Sequence, residues 1–401
     1  MLAVEEALKR IYGHIKPLGT ETVPLRAAAN RVLAEPVIAR HNQPPFDSSA
    51  MDGYAVRAAE AGIGRSLTLA GTAQAGQRFV GMMDRGQCVR IFTGAPLPIG
   101  ADAVVMQEET EVHGNQISFL EAVRVGQSVR RQGNDFKRGD ALIAPGTLLT
   151  PARISLAAAS NLPELVVNRR PRIAILSSGD ELVQPGSSIG ADQIVSSNNF
   201  GLAALLSPFA ERVVDLGIVR DDPKAIEAAL LSAFDDGIDV LITSGGASVG
   251  DRDYMQEVLK DLGVAMDFWK LRMRPGKPLM FGVRGRTLIF GLPGNPVSAM
   301  ATAHVVVKPT LKRIVGLAET EWPRFTVALA GPLPANGPRR HYLRGKLIRN
   351  DFGMLEVDPI SETDSGHISS LAASDCFIVQ PENDEGRSKG SVIEVIPLDW
   401  G

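Results

Sequence analysis

Three apolar runs, each closing in small, hydroxyl-bearing and glycine-rich residues, limit what this chain can fold into more than any other feature. The first is Arg172-Ile173-Ala174-Ile175-Leu176, which runs into Ser177-Ser178-Gly179-Asp180-Glu181-Leu182. The second is Ile238-Asp239-Val240-Leu241-Ile242, followed by Thr243-Ser244-Gly245-Gly246-Ala247-Ser248-Val249-Gly250-Asp251-Arg252-Asp253. The third is Thr287-Leu288-Ile289-Phe290, followed by Gly291-Leu292-Pro293-Gly294-Asn295-Pro296-Val297-Ser298. Short, nearly continuous apolar runs are strands covered on both faces. Helical patterns lie between and after them: at 198–210, after Asp221-Asp222-Pro223, and from Pro296 to about residue 316. Strands alternating with helices of roughly 10 to 15 residues predict a doubly wound, mostly parallel α/β sheet. In such a sheet the strand carboxyl ends share one edge, so the three loops converge on one crevice.

The loops carry anion chemistry. Glycines let backbone N–H groups approach a ligand, and a following helix adds its positive N-terminal end. Asp251 and Asp253 suit a cation or the orientation of water, with Asp251 also a natural helix cap. Beside them lies Trp269-Lys270-Leu271-Arg272-Met273-Arg274-Pro275-Gly276-Lys277, where Lys270, Arg272 and Arg274 alternate and so point to one side of an extended strand. Together these features predict an anion of high charge density. The Walker pattern and Gly-x-Gly-x-x-Gly after a strand are both missing, which argues against a kinase or dinucleotide dehydrogenase. No Gly-x-Ser-x-Gly elbow occurs, and the six histidines show no metal-ligand spacing.

The remainder reads as flanking β structure. Residues 66–140 alternate short β-like runs with Gly and Pro punctuation, and from about residue 319 short alternating runs return. Thr150-Pro151 starts a helix running to about residue 161. At 401 residues two to four domains are expected. A formal charge of −3 argues against bulk electrostatic binding of nucleic acid, and the two cysteines, Cys88 and Cys376, show no metal or disulfide spacing, as expected of a cytoplasmic chain. Residues 1–10 read as an amphipathic helix, not a secretion signal, and no apolar run approaches the roughly 18 to 20 residues of a membrane span.

Six motifs in order carry a resemblance: Ser49-Ala50-Met51-Asp52-Gly53-Tyr54-Ala55, Thr93-Gly94-Ala95-Pro96-Leu97-Pro98, the 177–182 loop, Thr243 to Asp251, Arg274-Pro275-Gly276-Lys277-Pro278 and Gly291 to Ser298. In these the chain resembles the MoeA and gephyrin E-domain family of molybdopterin molybdenumtransferases. The resemblance implies insertion of molybdenum from molybdate into adenylyl-molybdopterin with Mg²⁺ and release of AMP. It assigns Asp221 and Asp253 to Mg²⁺ and adenylate cleavage. Arg274, Lys277, Ser298 and Arg344 would receive molybdate, with Lys270 among the substrate-binding cations. Asp52, Thr93 and Asp135 match functional positions of the β-rich domain, which in the family approaches the central domain of a second subunit, so a homodimer with composite sites is implied. Ser177, Gly179, Glu181, Ser244, Gly245, Gly246 and Ser248 would line the pterin-pyrophosphate groove, with Pro293 and Pro296 shaping the loop beneath it.

Four domains are expected: a discontinuous linking domain (1–19, 39–46 and 140–170), a β-rich domain (20–38 and 47–139), a central α/β domain (171–318) and a C-terminal β-barrel-like domain (319–401). Contacts with the molybdopterin adenylyltransferase of the pathway and with recipient molybdoenzymes are further expectations; nucleic acid and membrane are not partners. Two other readings remain at this stage. A molybdopterin adenylyltransferase would share the central fold, although the flanking domains argue against it, and a non-catalytic scaffold would not need the acids and cations together.

Overall fold

The computed structural model describes residues 1–245 and 254–398. The chain divides into two compact units, one made of residues 22–145 and 149–166, the other of the remainder.

The smaller unit is built on a six-stranded sheet in the order Ala103–Met106, Gly53–Val56, Gln87–Ile91, Ser66–Ala73, Gln116–Phe119, Thr110–His113. Its strands are short and alternate as a half-buried β sequence should, sending neighbouring residues into different cores. Tyr54, Val56, Cys88 and Val105 join one apolar cluster, whereas Ala55, Val89 and Val104 join another. Thr150 and Pro151 begin the expected helix, which spans Pro151–Ala159.

In the larger unit six strands form the central sheet. In chain order they are β1 (Arg172–Ser178), β2 (Arg212–Val219), β3 (Val240–Ser244), β4 (Ala265–Lys270), β5 (Pro278–Arg284) and β6 (Thr287–Leu292). Their spatial order is β2-β1-β3-β6-β5-β4. The first four are mutually parallel, and β5 runs antiparallel to both β6 and β4. The apolar runs are covered on both faces, as their composition requires. Ile173, Ile175, Val240 and Ile242 pack in a core that also holds Leu202, Val305 and Leu311, while Ala174, Leu176, Leu241 and Ile289 meet Ile226, Leu230, Met255 and Leu259 on the other side. Helices Val4–His14, Asn198–Leu206 and Pro296–Thr302 thus cover one face, and Pro223–Asp235 and Tyr254–Asp261 the other.

The helix predicted from Pro296 runs through Thr302, widens into a π-helical stretch at Ala303–Val307, and continues as Lys308–Ile314. Pro309 explains the widening. It has no N–H to give the carbonyl of Val305, and its ring crowds that carbonyl in a regular α-turn. The C-terminal strands Phe325–Leu329, Arg340–Arg349, Leu355–Pro359, Cys376–Gln380 and Val392–Pro397 close into a barrel, because Arg340–Arg349 pairs with Cys376–Gln380 as well as with Leu355–Pro359. Among the described residues no helix is long and apolar enough to cross a membrane.

One local expectation is corrected. Lys270, Arg272 and Arg274 do not lie on one strand: Lys270 ends β4, Arg272 sits in a bend, and Met273–Arg274 is a two-residue strand paired with Arg340–Arg349 of the barrel. Leu271 and Met273 are nevertheless fully buried, each followed by an exposed arginine, Arg272 and Arg274, so the alternation survives the change of sheet.

Candidate active site

The carboxyl ends of β1 and β2 carry an acidic rim. Asp221 follows β2, and its backbone N–H donates to Oδ1 of Asp180 at 3.3 Å. Partial burial, then repulsion from Asp180 and from Glu181, raises the Asp221 carboxyl above its ordinary pKa, with the Ser178 hydroxyl pulling the other way. A carboxylate held among like charges gains most from a cation. Gly179 is buried and donates to the carbonyl of Val219, which ties the loop to β2. Ser177 turns inward instead: its hydroxyl binds Asn199 Oδ1, and Asn199 Nδ2 donates to Asp215 at 2.7 Å. It is 1% exposed, so its side chain holds the Asn198–Leu206 helix against the sheet and does not face a ligand.

The next loop is tied in by Asn198. Its Nδ2 donates to Ser244 Oγ at 2.7 Å and to the carbonyl of Gly294 at 2.8 Å, bridging the loops after β3 and β6. Gly245 has φ +90°, and a Cβ there would lie 2.4 Å from the carbonyl oxygen of Ser178. Only glycine allows the β1 and β3 ends to approach so closely. Pro293 is buried directly after β6, and Pro296 occupies the first turn of the next helix. An apolar cleft of about 350 Å³, lined by Asn198, Gly201, Met300, Ile368 and Leu371, opens beside Asn198. Gly246, Ser248 and Asp253, together with Asp251, lie outside the described residues.

The cation turn is fixed from several sides. Leu2 donates to the carbonyl of Lys270 and accepts from Arg272, and Leu271 donates to the carbonyl of Lys277. Gly276 (φ +97°) abuts the Pro296–Thr302 helix so tightly that a Cβ would lie 2.3 Å from Thr302 Oγ1, which itself donates to the carbonyl of Ser298 at 2.7 Å. This contact brings the turn bearing the exposed Arg274 and Lys277 to the helix bearing Ser298. The barrel reaches the same place, since Ser365 accepts from Val297 N–H through its carbonyl and from Asn295 Nδ2 through its hydroxyl.

Arg344 is 4% exposed and lines a small cavity with Pro275, so it lies beside the turn. Its amino groups are given to the carbonyls of Glu362, Asp364 and His367 and to Ser370 Oγ. An oxyanion at Arg344 therefore competes with four acceptors of the 362–370 loop, which sets it apart from Arg274 and Lys277.

Three expected residues belong to the smaller unit. Asp52 accepts from both the backbone N–H and the hydroxyl of Thr93 at 2.7 Å, and these bonds, with the charge of Arg90, hold its carboxyl below the ordinary range. Asp52 is thus ionised and oriented, suited to electrostatic work and not to giving up a proton. Asp135 lines a cleft of about 410 Å³ with Ser48, Gly94, Arg130 and Asn134.

Three family descriptions match nearly end to end: the MoeA N-terminal region (domain I and II) over residues 2–160, a probable molybdopterin binding domain over 174–313, and the MoeA C-terminal region (domain IV) over 326–398. The chain belongs to the MoeA family. It is 36% identical to the molybdopterin molybdenumtransferase of Haemophilus influenzae, over 100% of this chain and 99% of that one, and 37% identical to that of a Nostoc species, over 94% and 89%. Among solved structures, a molybdopterin biosynthesis MoeA protein of Pyrococcus horikoshii superposes with TM-score 0.85 at 28% identity, covering 99% of this chain and 100% of that one.

Within this MoeA chain the structure brings Asp221, Gly179, Glu181, Ser244, Gly245, Pro293, Pro296, Ser298, Lys270, Arg274, Lys277 and Arg344 onto one unit, and Asp52, Thr93 and Asp135 onto the other. Sequence reasoning missed Asn198 as the tie between two loops and Ser365 as the barrel's contact with the helix start. Asn198 opens a helix and reads from sequence as an ordinary capping-type residue. Ser365 stands in the loop Ser365-Gly366-His367, and its partner Asn295 is 70 residues away.

Proposed function

We infer that this chain is a molybdopterin molybdenumtransferase that inserts molybdenum from molybdate into adenylyl-molybdopterin and releases AMP. The observation that carries this reading is the meeting of an acidic rim, a glycine-built loop and a cation turn along one sheet edge, in a chain whose full length matches the MoeA family. Arg274 and Lys277, exposed on a turn braced from several sides, would receive the tetrahedral dianion, with Ser298 beside them. The apolar cleft beside Asn198 suits the planar pterin. Asn198 Oδ1 is buried with no hydrogen-bond partner among the described residues, so it is available to a ring N–H.

The donor chemistry fits Mg²⁺: Asp221 is crowded by Asp180 and Glu181, and Mg²⁺ needs only one or two carboxylates when phosphate and water complete its shell. Among the described residues there is no group of three or more such side chains that could hold a metal alone. Asp221 is the ligand supported here, with Asp253 its expected companion. When bound, Mg²⁺ would neutralise the phosphoanhydride and its leaving group. Asp221 would orient the ion and the adenylate, Gly245 and Ser244 would hold the pyrophosphate through backbone N–H groups, and Asp52, braced by Thr93, would supply a fixed negative charge with Asp135. The two units would complete each other's sites in a homodimer, within the four-domain division above, in the cytoplasm.

The test is incubation of the chain with adenylyl-molybdopterin, molybdate and Mg²⁺, following AMP release and molybdenum incorporation. Asp221→Asn should slow AMP release about 100-fold or more, the scale of a lost electrostatic group in a catalytic site. Arg274→Ala should raise the molybdate requirement. AMP release by Asp221→Asn at the wild-type rate would remove its assigned role. Repetition with tungstate addresses metal preference.

A further inference from the structure

His341 has no role in the site as described. It lies on the barrel strand Arg340–Arg349, 6% exposed, opposite Arg274 in one ladder and Gln380 in the other. It lines, with Pro275, Arg344, Glu362 and Thr363, a cavity of about 10 Å³, room for one oxygen atom. Among the described residues neither ring nitrogen has a hydrogen-bond partner. The ring is not sealed from solvent, so its free nitrogens can meet water or a ligand oxygen that enters this cavity.

We propose that His341 is a further binding residue of the oxyanion site: its imidazole donates a hydrogen bond to the anion received by Arg274 and Lys277, and it takes up a proton from solvent as that anion binds. The inference rests on the molybdate reading above.

The charges around the ring explain why the proton arrives with the ligand. Arg274 faces it from the neighbouring strand, Arg339 and Arg344 flank it along its own chain, and burial adds to their effect. Glu362, on the loop, is the carboxylate lining the same cavity. Tyr342, next along the strand, has its pKa pushed up to about 12 by burial and stays neutral. Burial first, then Arg274, Arg339 and Arg344, lower the His341 pKa to about 4, so the ring is neutral near pH 7 before binding. A dianion beside Arg274 offsets that repulsion and supplies an acceptor, and both effects favour the imidazolium. By linkage, affinity then rises as pH falls.

The test is calorimetric titration of the full chain with micromolar molybdate between pH 6 and 8, in two buffers of different ionisation enthalpy. The wild type should take up a fraction of a proton per anion, with affinity rising by up to about tenfold per pH unit. His341→Gln keeps a donor of similar shape but cannot be protonated. It should bind about tenfold more weakly, as loss of a charge-assisted hydrogen bond does, and lose the pH slope relative to the wild type. Molybdate's own protonation is common to both proteins and cancels in the comparison. Absence of proton uptake by the wild type, or a wild-type slope in His341→Gln, overturns the inference; the first of these needs no variant to fold. Unchanged binding by Arg274→Ala would instead overturn the anion site itself.

Discussion

Gly276→Ala puts the cation turn to a quantitative test. Gly276 holds φ +97°, a conformation that costs a residue with a Cβ about 1–2 kcal/mol. The new methyl would lie 2.3 Å from Thr302 Oγ1 and 3.3 Å from Met273 Cε. The hydroxyl is the part able to move. Turning it away gives up its 2.7 Å bond to the carbonyl of Ser298, about 1 kcal/mol for a buried hydrogen bond. The sum is about 2–3 kcal/mol, most of it felt where the turn meets the helix, so Arg274 and Lys277 should be displaced from Ser298. Thermal unfolding should show a fall of several degrees, and molybdate titration a weakened affinity. Thr302→Ala removes the atom struck, so the double variant Gly276→Ala/Thr302→Ala should lose less than the two single losses combined, with a coupling of about 1 kcal/mol. Wild-type melting and wild-type molybdate affinity in Gly276→Ala would refute the claim that this contact positions the turn.

Acid should destabilise the fold through His341. Its pKa is about 4 in the folded chain against an ordinary value of 6.5, so between those values the unfolded chain binds a proton that the folded chain does not. Stability is therefore full above pH 6.5 and declines towards pH 4 by about 3 kcal/mol; denaturant melts across this range should show that slope flattened in His341→Gln. Asn198→Ala should cost about 1–3 kcal/mol by leaving Ser244 Oγ and the Gly294 carbonyl without their donor, and Asn198→Asp, which replaces the donor with an acceptor, should not restore the melting temperature. Cys88 and Cys376 are fully buried with pKa values pushed up to about 12 by burial, so alkylation at pH 8 followed by mass spectrometry should label neither until denaturant is added.

The strands of the central sheet were legible because burial on both faces demands an apolar run, and residues 173–176, 240–242 and 288–290 supply one each. Asp222 with Pro223 marked a helix start, and the Asp222 carboxylate does cap Ala225 N–H. What escaped was set by partners distant in the chain. Alternation at 270–274 tells which side each residue takes, but not that the segment leaves one sheet for another, because that choice is made by Leu2 and by the strand at Arg340. The family resemblance puts Ser177 in the pterin-pyrophosphate groove, yet Asn199 claims its hydroxyl. Arg344 is a cation in sequence and, in three dimensions, a brace engaged by three carbonyls and a hydroxyl. The π-helical stretch follows from Pro309, a residue whose effect on the preceding turn is readable only once the helix is known to continue through it.

A connection between two adjacent antiparallel strands usually takes its position from the strands it joins. The segment after β4 does not. Leu2 grips its first residues, Arg340 donates to the carbonyl of Arg272, Met273–Arg274 is laced to the barrel, and Gly276 is seated on the Pro296–Thr302 helix. The charges of the turn are thus carried by the barrel as much as by the sheet whose strands they connect. Arg340→Pro, 66 positions beyond Arg274, removes the N–H that holds Arg272 and should therefore act as a remote adjustment of oxyanion affinity, and the barrel functions as the mounting that sets the aim of the site.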